Sequence, residues 1–115
     1  MAFIMKEGVL DTYLPEKGES VVTIPAGVHT IQEHAFDEVL SLEELIVPEG
    51  VRRIGNAAFA RCKNLKKVTL PKSLECIDDD AFVFCESLTE ILVPEKANIR
   101  IGSAFSCTPW LDQKK

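Results

Sequence analysis

Short alternating stretches recur along the chain: Val22-Thr-Ile24, Leu45-Ile-Val47, Val68-Thr-Leu70 and Ile91-Leu-Val93. Residues two apart on an extended backbone point the same way. The first and third residue of each triplet should therefore face a core. The middle one (Thr23, Ile46, Thr69, Leu92) should face out. A proline follows each triplet, at Pro25, Pro48, Pro71 and Pro94. It has no backbone donor, so a ladder ends there, and it biases its predecessor towards extended geometry. A second apolar pair comes next: Val28 and Ile31, Val51 and Ile54, Leu74 and Ile77. It predicts a second short strand on the other side of each coil. In the last unit the phase slips, with Arg100 where an isoleucine is expected and Ile99 and Ile101 beside it. A local bulge is expected there.

The four prolines are 23 residues apart, and so are Ala35-Phe36, Ala58-Phe59, Ala81-Phe82 and Ala104-Phe105. A period held this long means one unit stacked on itself. The Ala-Phe stretch, followed by Leu42, Leu65 or Leu88, is too short for a long helix and predicts a short helical or 3₁₀ turn. Stacking at strand spacing makes Phe36, Phe59, Phe82 and Phe105 a column of rings, with alanine leaving room beside each. The expected fold is a β-rich solenoid, a right-handed coil with short strands, short helical or 3₁₀ turns and an N-terminal β-hairpin cap. One domain spans 1–115: residues 1–24 form the cap and first strand, 25–47, 48–70 and 71–93 are repeats, and 94–115 are a partial repeat with a C-terminal cap. Residues 1–20 read as breaking the period. Val9–Tyr13 reads as a strand that pairs with Met1–Met5 through a Glu7-Gly8 turn, and Pro15–Gly18 as a turn. Trp110 and Leu111 would cover the last coil, leaving 112–115 as a solvated tail.

The recurring Leu-x-x-Leu/Val/Ile-x-Val/Leu-Pro, followed by Ile-Gly-x-x-Ala-Phe-x-x-Cys-x-Asn/Ser-Leu, resembles the BspA-like leucine-rich repeats of bacteria. The best match runs from Val51 to Leu70, through Ile54-Gly55, Ala58-Phe59, Cys62 and Asn64-Leu65. Gly8–Tyr13 and Thr108–Leu111 look like the family's terminal pieces. The resemblance implies a leucine-rich-repeat coil with no catalytic residues to carry over. It also implies relatives that are often surface-exposed and sometimes bind host proteins.

Charge adds a second periodicity. The net charge is −5. Residues 48–70 hold six basic residues and one acid, while 71–93 hold six acids and one base. Equivalent positions carry opposite signs: Glu44, Lys67 and Glu90; Glu49, Lys72 and Glu95; Glu43 and Lys66; Glu38 and Arg61; Arg52 and Glu75; Lys63 and Glu86. Such pairs across neighbouring strands are expected to hold coil order and register more than to add stability. The alternative is a basic band of Arg52, Arg53, Arg61, Lys63, Lys66 and Lys67 on an anion or nucleic acid. Acidic coils on both sides would repel a polyanion, so no nucleic-acid partner is expected.

Candidate chemistry is sparse. Cys62, Cys76, Cys85 and Cys107 show no C-x-x-C spacing, so neither zinc nor a disulfide framework is expected. Cys62 and Cys85 read as small buried hydrophobes, and Cys76 as an outward residue of the second strand. Asp78-Asp79-Asp80 reads as a cap for the following turn rather than a calcium site. His29 and His34 read as surface residues with no nucleophile placed beside them. No Gly-rich phosphate loop is present. The expectation is no enzyme, no cofactor and no metal. The longest apolar run, Met1–Met5, is too short for a leader or a span. That predicts a cytoplasmic chain without membrane insertion, or a secreted or surface one if a leader has been removed.

A contact surface remains. The outward rows are Val21, Glu44, Lys67, Glu90 and Thr23, Ile46, Thr69, Leu92. Solenoids present partners on such a regular face, so Glu44, Ile46, Lys67, Thr69, Glu90 and Leu92 are the candidate protein-binding residues. Phe84 is a second apolar oddity, expected on the opposite side. The function expected is a non-enzymatic leucine-rich-repeat module that binds a protein. The alternatives are a self-associating structural protein, with a weak homo-oligomer, and a fragment or relative of a surface adhesin.

Overall fold

The computed structural model describes residues 2–15, 18–94, 99–102 and 104. It holds nine strands among them: β1 (Ala2–Lys6), β2 (Val9–Leu14), β3 (Val21–Thr23), β4 (Thr30–Ile31), β5 (Glu44–Ile46), β6 (Arg53–Ile54), β7 (Lys67–Thr69), β8 (Cys76–Ile77) and β9 (Glu90–Leu92). They form two sheets, β3-β5-β7-β9 and β1-β2-β4-β6-β8. All neighbours are parallel except β1 and β2. Each turn of the chain gives one strand to each sheet, which is a solenoid with its core between them.

The first-sheet strands start one residue earlier than the apolar triplets, yet the facing is as expected. Val22 and Ile24, Leu45 and Val47, and Val68 and Leu70 are buried. Between them, Thr23 is exposed and Ile46 and Thr69 are half-buried. The last triplet departs: Ile91 is half-buried and Val93 is 45% exposed. The backbone still donates at the residue before Pro25, Pro48 and Pro71: Ile24 N to Ile46 O at 3.0 Å, Val47 N to Thr69 O at 2.9 Å and Leu70 N to Leu92 O at 2.9 Å. The ladder stops at the proline itself.

The expected helical or 3₁₀ stretch around each Ala-Phe pair is a run of hydrogen-bonded turns, and no helix occurs among the described residues. The backbone divides its donors alternately. N–H groups of Ala35, Asp37 and Val39 close turns onto Gln32, His34 and Phe36. Those of His34, Phe36 and Glu38 cross to the carbonyls of Asn56, Ala58 and Ala60 in the next coil. The next coil repeats this, with Ala57, Phe59 and Arg61 donating to Asp79, Ala81 and Val83. A helix would spend every donor within its own coil. Here half of them join coil to coil and the other half close turns within the coil, so both sets are satisfied.

That pattern requires left-handed backbone at its two ends. His34, Ala57 and Asp80 have φ of 60°, 54° and 61°, and Glu38, Arg61 and Phe84 have φ of 57°, 57° and 56°. Two columns of non-glycine residues thus hold a conformation that costs L-residues roughly 1–2 kcal/mol each. The cost is tolerated because stacking fixes the turn at each level.

The rings stack as expected. Phe36 and Phe59 have centroids 4.7 Å apart, and Phe59 and Phe82 5.0 Å. All three are fully buried against Ala35, Ala58 and Ala81. Such pairs add roughly 0.5–1.5 kcal/mol each beyond burial. Phe105, Cys107, Trp110 and Leu111, with the C-terminal cap expected from the last two, lie outside the described residues.

The N-terminal segment is more regular than its sequence reads. β1 pairs with β2 as expected, through a turn in which Glu7 (φ 51°) and Gly8 (φ 82°) are both left-handed, the geometry two-residue hairpins favour. A Cβ on Gly8 would also collide with the His29 ring. But β2 continues the second sheet, Val9 opposite Thr30 and Leu10 opposite Ile31. Tyr13 enters the ring column, 4.6 Å from Phe36 with planes 12° apart. Residues 9–24 are therefore a coil in their own right, and only β1 lies outside the stack.

The phase slip at the other end is real. Arg100 bridges Cys76, 24 residues away, where earlier second strands pair 23 apart. Phe82 N then donates to Ala104 O at 2.7 Å, the spacing used in earlier coils. One extra residue is thus taken in before Arg100 and given back before Ala104. Ile99 and Ile101 both remain partly buried against the core.

Candidate protein-binding face

All six candidate residues come together on β5, β7 and β9. The register aligns Glu44 with Lys67 and Glu90, and Ile46 with Thr69 and Leu92. Val21 and Thr23 on β3 extend the same two rows. The residues between them, Val22, Leu45 and Val68, point inward and are fully buried. The face is thus rigidly backed: a polar row beside a mixed Thr-Ile-Thr-Leu row. Leu92 is 45% exposed and Val21 51%, with Ile46 half-buried between. Lys67 Nζ reaches Glu90 Oε2 at 4.0 Å, so the charge at the centre of the polar row is already balanced.

Acids from neighbouring coils neutralise most of the basic band. Arg52 lies 3.9 Å from Glu75, Arg53 2.7 Å from Asp78, Arg61 3.2 Å from Asp37 and Lys66 3.6 Å from Glu43. Among the described residues four expected pairings are replaced or missing. Arg61 turns to Asp37 rather than Glu38, because Glu38 and Arg61 sit on left-handed backbone that re-aims both side chains. Glu49 does not seek the Lys72 ammonium. Its carboxylate accepts from two backbone N–H groups, Lys72 N at 2.8 Å and Ser73 N at 3.2 Å. These follow Pro71 and leave the coil, so the acid finds stronger partners there than an exposed ammonium. Lys63 does not pair with Glu86, and Lys67 pairs with Glu90 but not with Glu44, among the described residues.

Of the three acids read as a cap, Asp78 has another role. It does not cap the following turn. Its Oδ2 accepts from Arg53 Nε at 3.0 Å and Nη2 at 2.7 Å, and its Oδ1 takes the Cys76 thiol at 3.2 Å. Partial burial would raise the Asp78 pKa. The hydrogen bonds from Arg53 and Cys76 and the charges of Arg53 and Arg100 outweigh that and hold it below the usual carboxylate range. The opposite holds for Cys76, which partial burial and then the Asp78 bond push up.

Cys62 and Cys85 are buried thiols. Each donates to a phenylalanine carbonyl of the preceding coil, Cys62 Sγ to Phe36 O and Cys85 Sγ to Phe59 O, both at 3.1 Å. Burial pushes the Cys62 pKa far up and that of Cys85 up to about 12. Two residues on, Asn64 Nδ2 reaches back to Leu40 O at 2.7 Å. Both histidines are exposed: His29 meets Thr30 Oγ1 at 2.9 Å and Glu7 O at 3.2 Å, and His34 meets Asp37 at 3.0 Å. Among the described residues no three His, Cys, Asp or Glu side chains gather as a metal would require. Phe84 is 46% exposed. It belongs to the turn column, not the strand face.

Comparison with known proteins agrees with this architecture. The chain is similar to the pneumococcal vaccine antigen PcpA, at 26% identity and a TM-score of 0.82, over 94% of this chain and 27% of that one. It is similar to a leucine rich cell surface protein of Faecalibacterium prausnitzii, at 30% identity and a TM-score of 0.58, over 89% of this chain and 33% of that one. A Treponema pallidum leucine rich repeat protein shares the fold at 24% identity and a TM-score of 0.55, over 88% of this chain and 60% of that one. The chain thus spans between about a quarter and three fifths of the solved proteins it resembles. Among curated proteins none matches. The family model described as "BspA type Leucine rich repeat region (6 copies)" matches residues 17–114, and the chain belongs to that family.

Proposed function

We propose that this chain is a protein-recognition module and that its partner docks on the outer face of β5, β7 and β9. The observation that carries the reading is the alignment of Ile46 and Leu92 in one outward row beside Glu44, Lys67 and Glu90. Two apolar side chains in a row that runs beside a charged one offer a protein partner what it needs: area to bury and a polar edge to set orientation. Parallel strands anchored by a buried row keep that pattern fixed before contact, which lowers the cost of binding. The leucine-rich repeat family supports a binding or structural role over a catalytic one.

Affinity capture from the native cell with mass identification tests this. A partner held by the wild-type chain should be lost with Ile46→Asp and Leu92→Asp, while Phe84→Asp, on the turn column, should still retain it. Retention by the folded Ile46→Asp and Leu92→Asp variants would remove this face from consideration.

A second reading, display at a cell surface, draws on the Faecalibacterium protein described as a leucine rich cell surface protein. Protease shaving of intact native cells should then release peptides of this chain. Peptides found only after lysis would exclude display.

A further inference from the structure

We propose that two copies of this chain join through the free edge of β1, antiparallel and centred on Ile4, so that the second sheet runs continuously across both. The reasoning starts from sheet order. β1 is the terminal strand of its sheet, and among the described residues none pairs with its outer side. Unpaired edges template further strands unless something blunts them.

The usual protections are not on this strand. β1 reads Ala-Phe-Ile-Met-Lys, without proline and with one charge, at its end. A bulge is present, but on the other strand: Ile4 faces Thr12 and Met5 faces Leu10, so the extra residue is Asp11 of β2. The outer strand itself stays regular. It also exposes apolar side chains, Ile4 at 48% and Met5 at 39%, beside Leu14 at 47% on β2. A hollow next to them is lined by Ile4, Met5, Lys6, Glu7, Val9 and Asp11.

The occupant is argued from register. In an antiparallel ladder alternate residues aim their backbone groups at the same neighbour. The Glu7-Gly8 turn closes on the Lys6–Val9 pair. Lys6, Ile4 and Ala2 therefore bond inward, and Phe3 and Met5 aim their N–H and C=O at the open side. In a two-fold pairing centred on Ile4, Phe3 of one copy faces Met5 of the other, so the free donors and acceptors meet reciprocally. All five residues pair, and Lys6 faces Ala2, so no like charges oppose. Moving the axis to Phe3 or Met5 leaves three pairs each. The edge is thus self-complementary in one register, as an isologous contact requires. The contact is smaller than a standard interface, so association should be weak, in the micromolar to submillimolar range.

Sedimentation velocity between about 5 and about 500 µM protein reads this. The wild-type mass should climb from 12.8 kDa towards twice that value. Ile4→Lys sets two ammonium groups across the axis. Met5→Pro removes a donor that no intrachain bond uses. Each should weaken the dimer at least tenfold, with far-UV circular dichroism and melting temperature unchanged. Ile4→Val should retain the dimer. Leu92→Asp, in the other sheet, should also leave it intact, which separates this proposal from the docking face above. A wild-type chain that stays monomeric throughout overturns the proposal. So does a dimer that survives Ile4→Lys, or one lost with Ile4→Lys but untouched by a folded Met5→Pro.

Discussion

Tyr13 stacks on Phe36 at 4.6 Å with ring planes 12° apart, and its backbone N–H donates to Ala35 O at 3.0 Å. Phe36 repeats both contacts on the next level, ring to Phe59 and N–H to Ala58. The phenol adds one feature of its own, a 2.6 Å bond to Glu19 Oε1. Tyr13 is therefore a core residue of the first coil. Tyr13→Ala should cost about 3–5 kcal/mol, as buried aromatic truncations do. Tyr13→Phe should cost about 1 kcal/mol for the lost hydrogen bond. Urea titration followed by circular dichroism measures both. A Tyr13→Ala cost no greater than a surface change would place the hairpin outside the cooperative unit.

Glu38 is exposed and held at φ 57°, and it forms no ion pair among the described residues. Glycine enters that region without steric cost. Glu38→Gly should therefore stabilise by roughly 1 kcal/mol, the reverse of what glycine does inside a helix. Glu38→Val should destabilise, since a β-branched residue is least tolerant there. Thermal melting of the two variants checks the sign. If both lower the midpoint, the turn geometry is not as described.

The buried thiols make a pH prediction. Their folded pKa values lie above the unfolded value of about 8.5. Stability from the neutral thiols is then complete below about pH 8.5 and is lost as pH rises towards the folded values. Between about pH 8.5 and pH 10 the loss should approach about 2 kcal/mol per thiol. The equivalent residue of the coil before Cys62 is Val39, also buried. Cys62→Val with Cys85→Val should therefore fold and show a flatter alkaline limb in urea midpoints. Equal slopes for wild type and variant would contradict the burial.

Asp78 makes the opposite prediction in acid. Its folded pKa is lowered, so the stability it adds is present above the unfolded value of about 3.9 and is lost as pH falls through the folded one. Melting temperatures from about pH 7 down to about pH 3 should fall less for Asp78→Asn than for wild type. The variant should begin lower at neutral pH, because Arg53 loses its ionised acceptor. A variant with the same acid slope would show that the Arg53–Asp78 pair does not form in solution.

What could be read in advance follows from the kind of signal each feature leaves. Side-chain burial is periodic, so the inward positions of three triplets, the ring column and the slip at Arg100 were all legible. Backbone conformation leaves no such trace. The left-handed columns hold His34, Ala57 and Asp80, then Glu38, Arg61 and Phe84. No residue type is shared, and glycine never occurs among them. The stacking imposes that geometry whatever side chain is present, so a short helical turn was the natural expectation. Tyr13 was missed because β2 pairs with β4 at a spacing of 21 residues while the ring keeps 23. The six residues of the proposed docking face were placed correctly on one surface, since alternation alone decides that. Partner choice leaves no period at all.

The alternating turns have an electrical consequence. Tyr13 N–H meets Ala35 C=O, whose peptide carries Phe36 N–H on to Ala58, then Phe59 to Ala81 and Phe82 to Ala104. Two shorter files run alongside, through His34, Asn56, Ala57 and Asp79, and through Glu38, Ala60, Arg61 and Val83. All these peptide dipoles point the same way, as in a helix laid along the stack rather than along the chain. Sheet dipoles largely cancel, but these add. The molecule therefore has a polar axis, with these carbonyls aimed towards the hairpin and these N–H groups towards the opposite end.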